Sequence, residues 1–87
     1  MISNVIAMTD ANYLLITAHD CHLCAHARTV LASIALPVRE YDVTSDEATA
    51  LAARGVPLTM LPVLVQRERV LAYGRFSERR LRRDLGL

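Results

Sequence analysis

The sequence has no lysine and no tryptophan, and only one phenylalanine, three glycines, three prolines and two cysteines in 87 residues. Each shortage excludes something. Two cysteines are too few for the disulfide scaffold of a small secreted domain. Aromatics at 5% leave little from which to build a base-stacking nucleic-acid platform. The few glycines form no phosphate-cradling loop, and no Cys-x5-Arg phosphatase loop is present. No apolar run approaches the roughly 20 residues that span a bilayer. Residues 1–12 lack the basic start of a secretory signal. The expectation is a cytoplasmic chain with neither nucleic acid nor membrane as partner, acting as a monomer.

What is there suits one compact domain. Hydrophobic residues make up 53% of the chain and charged residues 22%, so the sequence can fold on its own core. The net charge is +1, but the charge is unevenly spread. All ten basic residues are arginine, and seven of them lie between Arg67 and Arg83, against Glu68 and Glu78. Such a basic end is open to nucleic acid or an acidic protein. The plainer reading is an amphipathic helix with an Arg-rich exposed face.

The pattern is clearest around Cys21-His22-Leu23-Cys24, which contains both cysteines. The apolar run Tyr13–Thr17 reads as a buried strand. Ala18-His19-Asp20 reads as a turn, with Asp20 placed to cap the next helix. That helix is expected from Cys21 to Ile34, with Leu23, Ala27, Val30, Leu31 and Ile34 as its core stripe and Pro37 as its stop. Val38–Val43 reads as a strand. Ser45 caps a helix over Asp46–Arg54, which Gly55 ends. Val63–Val65 and Val70–Tyr73 form strands around the polar turn Gln66–Arg69. Ser77 caps a last helix, Glu78–Leu85. Tyr13, Tyr41 and Tyr73 read as core or sheet-edge residues. Residues 1–12 form an N-terminal arm, and 13–87 the domain. The order β-α-β-α-β-β-α implies a parallel pair with a right-handed crossover, completed by a hairpin into a four-stranded mixed sheet with helices on both faces.

A strand, a turn and then C-x-x-C at a helix start is the layout of a thiol redox site. Cys21 sits where free helix amides and the positive end of the dipole favour a thiolate. His22 and His19 add to this if protonated, and Asp20 opposes it. Cys24, one turn on, is placed to resolve a mixed disulfide at Cys21. Two other readings stand beside this one. The thiols are an inert packed pair, or His19, Cys21, His22, Cys24 and His26 bind a soft metal. Against metal, no further Cys or His exists to complete a structural site, and a C-x-x-C metal carrier follows a β-α-β-β-α-β order.

With a strand-entering proline near residue 62, the chain resembles the thioredoxin-fold proteins. Its size and element order make it similar to the glutaredoxins. More narrowly, it resembles small bacterial glutaredoxin-like proteins through Cys21–Cys24, Pro62–Val65 and Gly74-Arg75-Phe76. The resemblance spans about residues 13–87. It implies a thiol-disulfide oxidoreductase with Cys21 as nucleophile and Cys24 as resolving thiol. It implies that Pro62 is a cis-proline, with Pro57 the competitor for that role, and that Leu61 offers its backbone to substrate. His22 and Leu23, between the cysteines, and Gly74 and Arg75, on the rim, would complete the groove. Common glutaredoxins carry Pro-Tyr between the cysteines and a Gly-Gly pair followed by an acidic residue. This chain has His-Leu and Gly74-Arg75-Phe76-Ser77. No bound cofactor is implied; glutathione is the co-substrate the resemblance allows. The expected partners are protein or low-molecular-weight disulfides and a reductant, either glutathione or one of the thioredoxin-reductase type. The competing reading is a non-catalytic module that binds a partner protein or a soft metal ion through Cys and His.

Overall fold

A computed structural model describes residues 12–87. Apart from Asn12, the arm expected over 1–12 lies outside the described residues. The elements are β1 (Tyr13–Thr17), α1 (His22–Ser33), β2 (Arg39–Asp42), α2 (Asp46–Ala53), β3 (Val63–Gln66), β4 (Arg69–Tyr73) and α3 (Glu78–Leu85). The four strands form one mixed sheet in the order β2-β1-β3-β4. β1 runs parallel to β2 and antiparallel to β3, and β4 returns antiparallel along β3.

Successive strand residues point to opposite faces, and the two interior strands are apolar on both. Leu15 and Leu64 pack on one face with Ala27, Val30, Leu31 and Ile34, and with Phe76 and Leu81 from the C-terminal segment. Ile16, Val63 and Val65 pack on the other with Ala48 and Leu51 of α2 and with Val56. Thus α1 and α3 cover one face and α2 the other. Two such clusters explain why Leu14–Thr17 and Val63–Val65 read as continuous apolar runs rather than alternating ones.

The hairpin is tighter than the four-residue turn expected over Gln66–Arg69. Gln66 and Arg69 are paired ends of β3 and β4, and only Arg67 and Glu68 lie between. Both have positive φ, 54° and 74°. This is the backbone handedness that a two-residue hairpin requires, reached here without the usual Gly or Asn.

All three helices end the same way. In each, a residue beyond the last turn donates its amide to the carbonyl five residues back: Leu36 to Leu31, Val56 to Leu51 and Leu87 to Arg82. The residue before each of these donors has positive φ: Ala35 at 54°, Gly55 at 98° and Gly86 at 72°. Glycine is free in this conformation, whereas a Cβ is penalised. The first helix therefore stops at Ala35, and not through Pro37. A Cβ at Gly55 or Gly86 would meet no atom within 4 Å, so a substitution there tests backbone conformation alone. Gly55→Ala and Gly86→Ala should each destabilise by about 1 kcal/mol. Ala35→Gly should do the reverse, by up to about 1 kcal/mol, because relieved strain outweighs the added entropy of the unfolded chain. Urea midpoints of the three variants check both signs.

Candidate functional site

The loop from β1 to α1 positions the two cysteines. Asp20 has φ 51°, which turns the chain. Cys21 then lies extended, at φ −112° and ψ 105°, as the N-cap of α1. Its Sγ accepts the Cys24 amide at 3.1 Å, and its carbonyl accepts the Ala25 amide at 3.1 Å. The cap is thus the Cys21 sulfur and not the Asp20 carboxylate, and the helix begins one residue later than expected. A sulfur placed where an oxygen cap normally sits meets the unpaired amides of the first turn. No acidic side chain occupies that turn to compete with it.

Cys21 and Cys24 are joined as a disulfide, with Cα atoms 5.1 Å apart. Their environments differ. Cys24 is fully buried, while Cys21 is half-buried. Cys24, rather than Leu23, is the first buried residue of the helix stripe; Leu23 is half-buried and His22 exposed.

The other residues singled out above enter from the hairpin. The Leu61–Pro62 peptide bond is cis, and Pro62 is buried. Ile16 pairs with Val63. Pro62 therefore enters β3 at the end of β1 from which the chain turns toward Cys21. The Pro62 carbonyl accepts the Gly74 amide at 2.9 Å, which fixes Gly74 against Pro62. Met60, 55% exposed, lies over Gly74, with its Cε 3.5 Å from where a Cβ would stand. Arg75 is exposed and faces elsewhere. It lines a cleft between β4 and α3 whose walls include neither cysteine and neither Leu61 nor Pro62.

Two tethers on α1 were not legible in the sequence. His26 donates from Nε2 to the Phe76 carbonyl at 3.0 Å, tying the cysteine helix to the segment after Gly74. The partner is a backbone carbonyl 50 residues away, so no residue pattern announces it. Arg28 forks onto Glu40, with Nε 3.0 Å from both carboxylate oxygens and Nη2 2.6 Å from Oε2. Thr17 donates its hydroxyl to the same carboxylate at 2.9 Å, which satisfies the buried polar group at the end of β1. These residues line an open cleft of about 640 Å³ with Ala18, His19, Asp42 and Thr44. Hydrogen bonds from Arg28 and then from Thr17 outweigh burial and hold the Glu40 carboxyl below its ordinary range. Asp42 is lowered in the same way by the Thr44 hydroxyl and amide.

A carboxyl whose folded pKa is depressed stabilises the fold at pH values above its unfolded pKa of about 4.3. That contribution is lost as pH falls through the folded value. Glu40→Gln should therefore cost more stability at pH 7 than at pH 3. The pair is 47% and 36% exposed, so solvent screening limits the neutral-pH difference to about 1 kcal/mol or less. Urea titrations at the two pH values read it directly.

The three histidines have separate surroundings. His19 lies near Asp42, His22 faces solvent and His26 faces Phe76. Among the described residues no three His, Cys, Asp or Glu side chains gather as a metal-binding group. No described helix is long and apolar enough to cross a membrane. No protein-family model matches the chain, and comparison with curated proteins finds no match.

Proposed function

We propose that the chain is a thiol-disulfide oxidoreductase of the thioredoxin-like, glutaredoxin-like kind. The observation that carries this reading is the asymmetry of the pair: a half-buried Cys21 whose sulfur caps a helix, joined to a fully buried Cys24. In the reduced protein the Cys24 amide and the helix dipole favour a Cys21 thiolate. That thiolate attacks one sulfur of a substrate disulfide and forms a mixed disulfide. The other substrate sulfur leaves as a thiolate and takes up a proton. Cys24 then gives up its proton and attacks the Cys21 sulfur, releasing the second substrate thiolate. Two electrons have passed to substrate, and the product is the Cys21–Cys24 disulfide. A thiol reductant, glutathione or a dithiol, returns it to the starting state. The reverse sequence oxidises a dithiol client.

The parallel β1–β2 pair, the antiparallel β3–β4 hairpin and helices on both faces support the thioredoxin-like reading. So does a cis-proline entering β3 at the cysteine end of β1. In this reading the Leu61 backbone and the Pro62 ring form one wall of the substrate groove, and His22 and Leu23 form another. Gly74, whose amide is bonded to the Pro62 carbonyl, stands at its rim.

The test is reduction of insulin by the dithiothreitol-reduced chain, with and without glutathione, alongside iodoacetamide alkylation across pH. Catalysed reduction is expected, with Cys21 alkylation already half-maximal below the ordinary thiol value of about 8.5. Absence of turnover in both conditions would sink the proposal.

A further inference from the structure

The C-terminal third of the molecule carries far more positive charge than its own acids neutralise. Glu68 is taken by Arg54, Glu78 by Arg82 and Asp84 by Arg83. Arg67, Arg69, Arg75, Arg79 and Arg80 are all exposed, and none has an ion-pair partner among the described residues. Two of the five, Arg75 and Arg80, line the cleft of about 350 Å³ between β4 and α3. Val70, Leu71, Ala72 and Tyr73, four consecutive residues of β4, line it too. A wall of consecutive strand residues includes the backbone, not only one side-chain face. β4 is also an edge strand, bonded to β3 alone. Outside the β3 ladder, residues 67–73 donate to no backbone carbonyl among the described residues.

We propose that the β4 edge and its Arg75–Arg80 cleft dock an extended acidic segment of a partner protein, which adds to the sheet as a further strand. An edge strand offers main-chain donors and acceptors in register. Alternate side chains of the added strand would reach the cleft, where each arginine can grip a carboxylate with two parallel hydrogen bonds. The half-buried Leu71 and the exposed Tyr73 supply apolar contact between those charges. The same arginines repel basic strands and so restrict which chains can pair. Nucleic acid is the less favoured polyanion: it has no strand backbone to pair with the edge. This docking does not depend on the redox reading, because neither cysteine lines the cleft.

The experiment is fluorescence anisotropy with a labelled ten-residue peptide alternating Glu and Val. Three comparisons accompany it: the same peptide N-methylated at alternate residues, a ten-nucleotide oligo(dT), and the Cys21→Ser/Cys24→Ser chain. The unmodified peptide should bind, with unchanged affinity in the cysteine variant. N-methylation, which removes strand donors at constant charge, should weaken binding at least tenfold. So should Arg75→Ser/Arg80→Ser, while Arg75→Lys/Arg80→Lys should retain part of the affinity. Hydrogen exchange should show new protection of the Arg69–Tyr73 amides in the complex. Failure of the unmodified peptide to bind would overturn the proposal. So would equal binding of the methylated peptide, oligo(dT) binding as tightly as the peptide, or indifference to the double serine variant. Concentration-dependent self-association lost in that variant would assign the edge to a second copy of the chain and overturn it equally.

Discussion

Cys21→Ser is expected to lower disulfide reduction on the order of a thousandfold or more, the scale on which loss of a covalent nucleophile registers. Cys24→Ser is expected to behave differently. It keeps the attacking sulfur but removes the group that releases the product, so the mixed disulfide accumulates. Non-reducing mass spectrometry should find substrate joined to Cys21 in the Cys24 variant and no adduct in the Cys21 variant. The burial difference sets the order of events. A fully buried Cys24 meets an incoming disulfide poorly, whereas the half-buried Cys21 presents its sulfur at the helix start. Adducts on Cys24 rather than Cys21 would reverse the assigned roles. Equal turnover by Cys21→Ser and wild type would remove the cysteines from the chemistry altogether.

The second large effect concerns the core. Leu15 and Leu64 are both fully buried and stand opposite each other on the two interior strands. Leu64→Ala should cost about 3–4 kcal/mol, the lost transfer energy plus the cavity left behind. A domain of this kind is stable by about 5–15 kcal/mol in all, so much of its stability would go. Leu15→Ala should cost a similar amount. Because the two side chains share one site, the double variant should depart from additivity by about 0.5–3 kcal/mol. Chemical denaturation of the four proteins gives the cycle. A loss below about 1 kcal/mol at Leu64 would mean that the sheet repacks without it.

The sequence was most legible where one residue's chemistry fixes its own environment. Tyr13–Thr17 and Val63–Val65 declared themselves as strands because both faces are buried. Ser45 and Ser77 declared themselves as caps, and each accepts the amide three residues on. The misreadings fall where the partner is distant or the residue unusual. Asp20 was the conventional cap, yet its backbone is committed to the turn and the neighbouring sulfur takes the amide. Pro37 was the conventional stop, yet Ala35 ends the helix in a glycine-like conformation. The His26–Phe76 and Arg28–Glu40–Thr17 links span 50, 12 and 23 residues. Only the sheet order brings such residues together. Arg75 stood beside Gly74 in sequence, but the turn between them sends its side chain into the β4–α3 cleft.

The sheet order has a consequence for how the chain is made. β1 is flanked by β2, which follows within 30 residues, and by β3, whose Leu64 pairs with Leu15 from 49 positions further on. A nascent chain leaving the ribosome therefore displays both cysteines and an open β1 edge while β3 is still being translated. At about 5–20 residues per second that interval lasts a few seconds. During it, the Leu15 face lacks Leu64, Phe76 and Leu81, three of the buried residues that cover it. Thiol chemistry in those seconds takes place on a chain that has not yet buried Cys24, so the asymmetry between the two sulfurs is not yet in force.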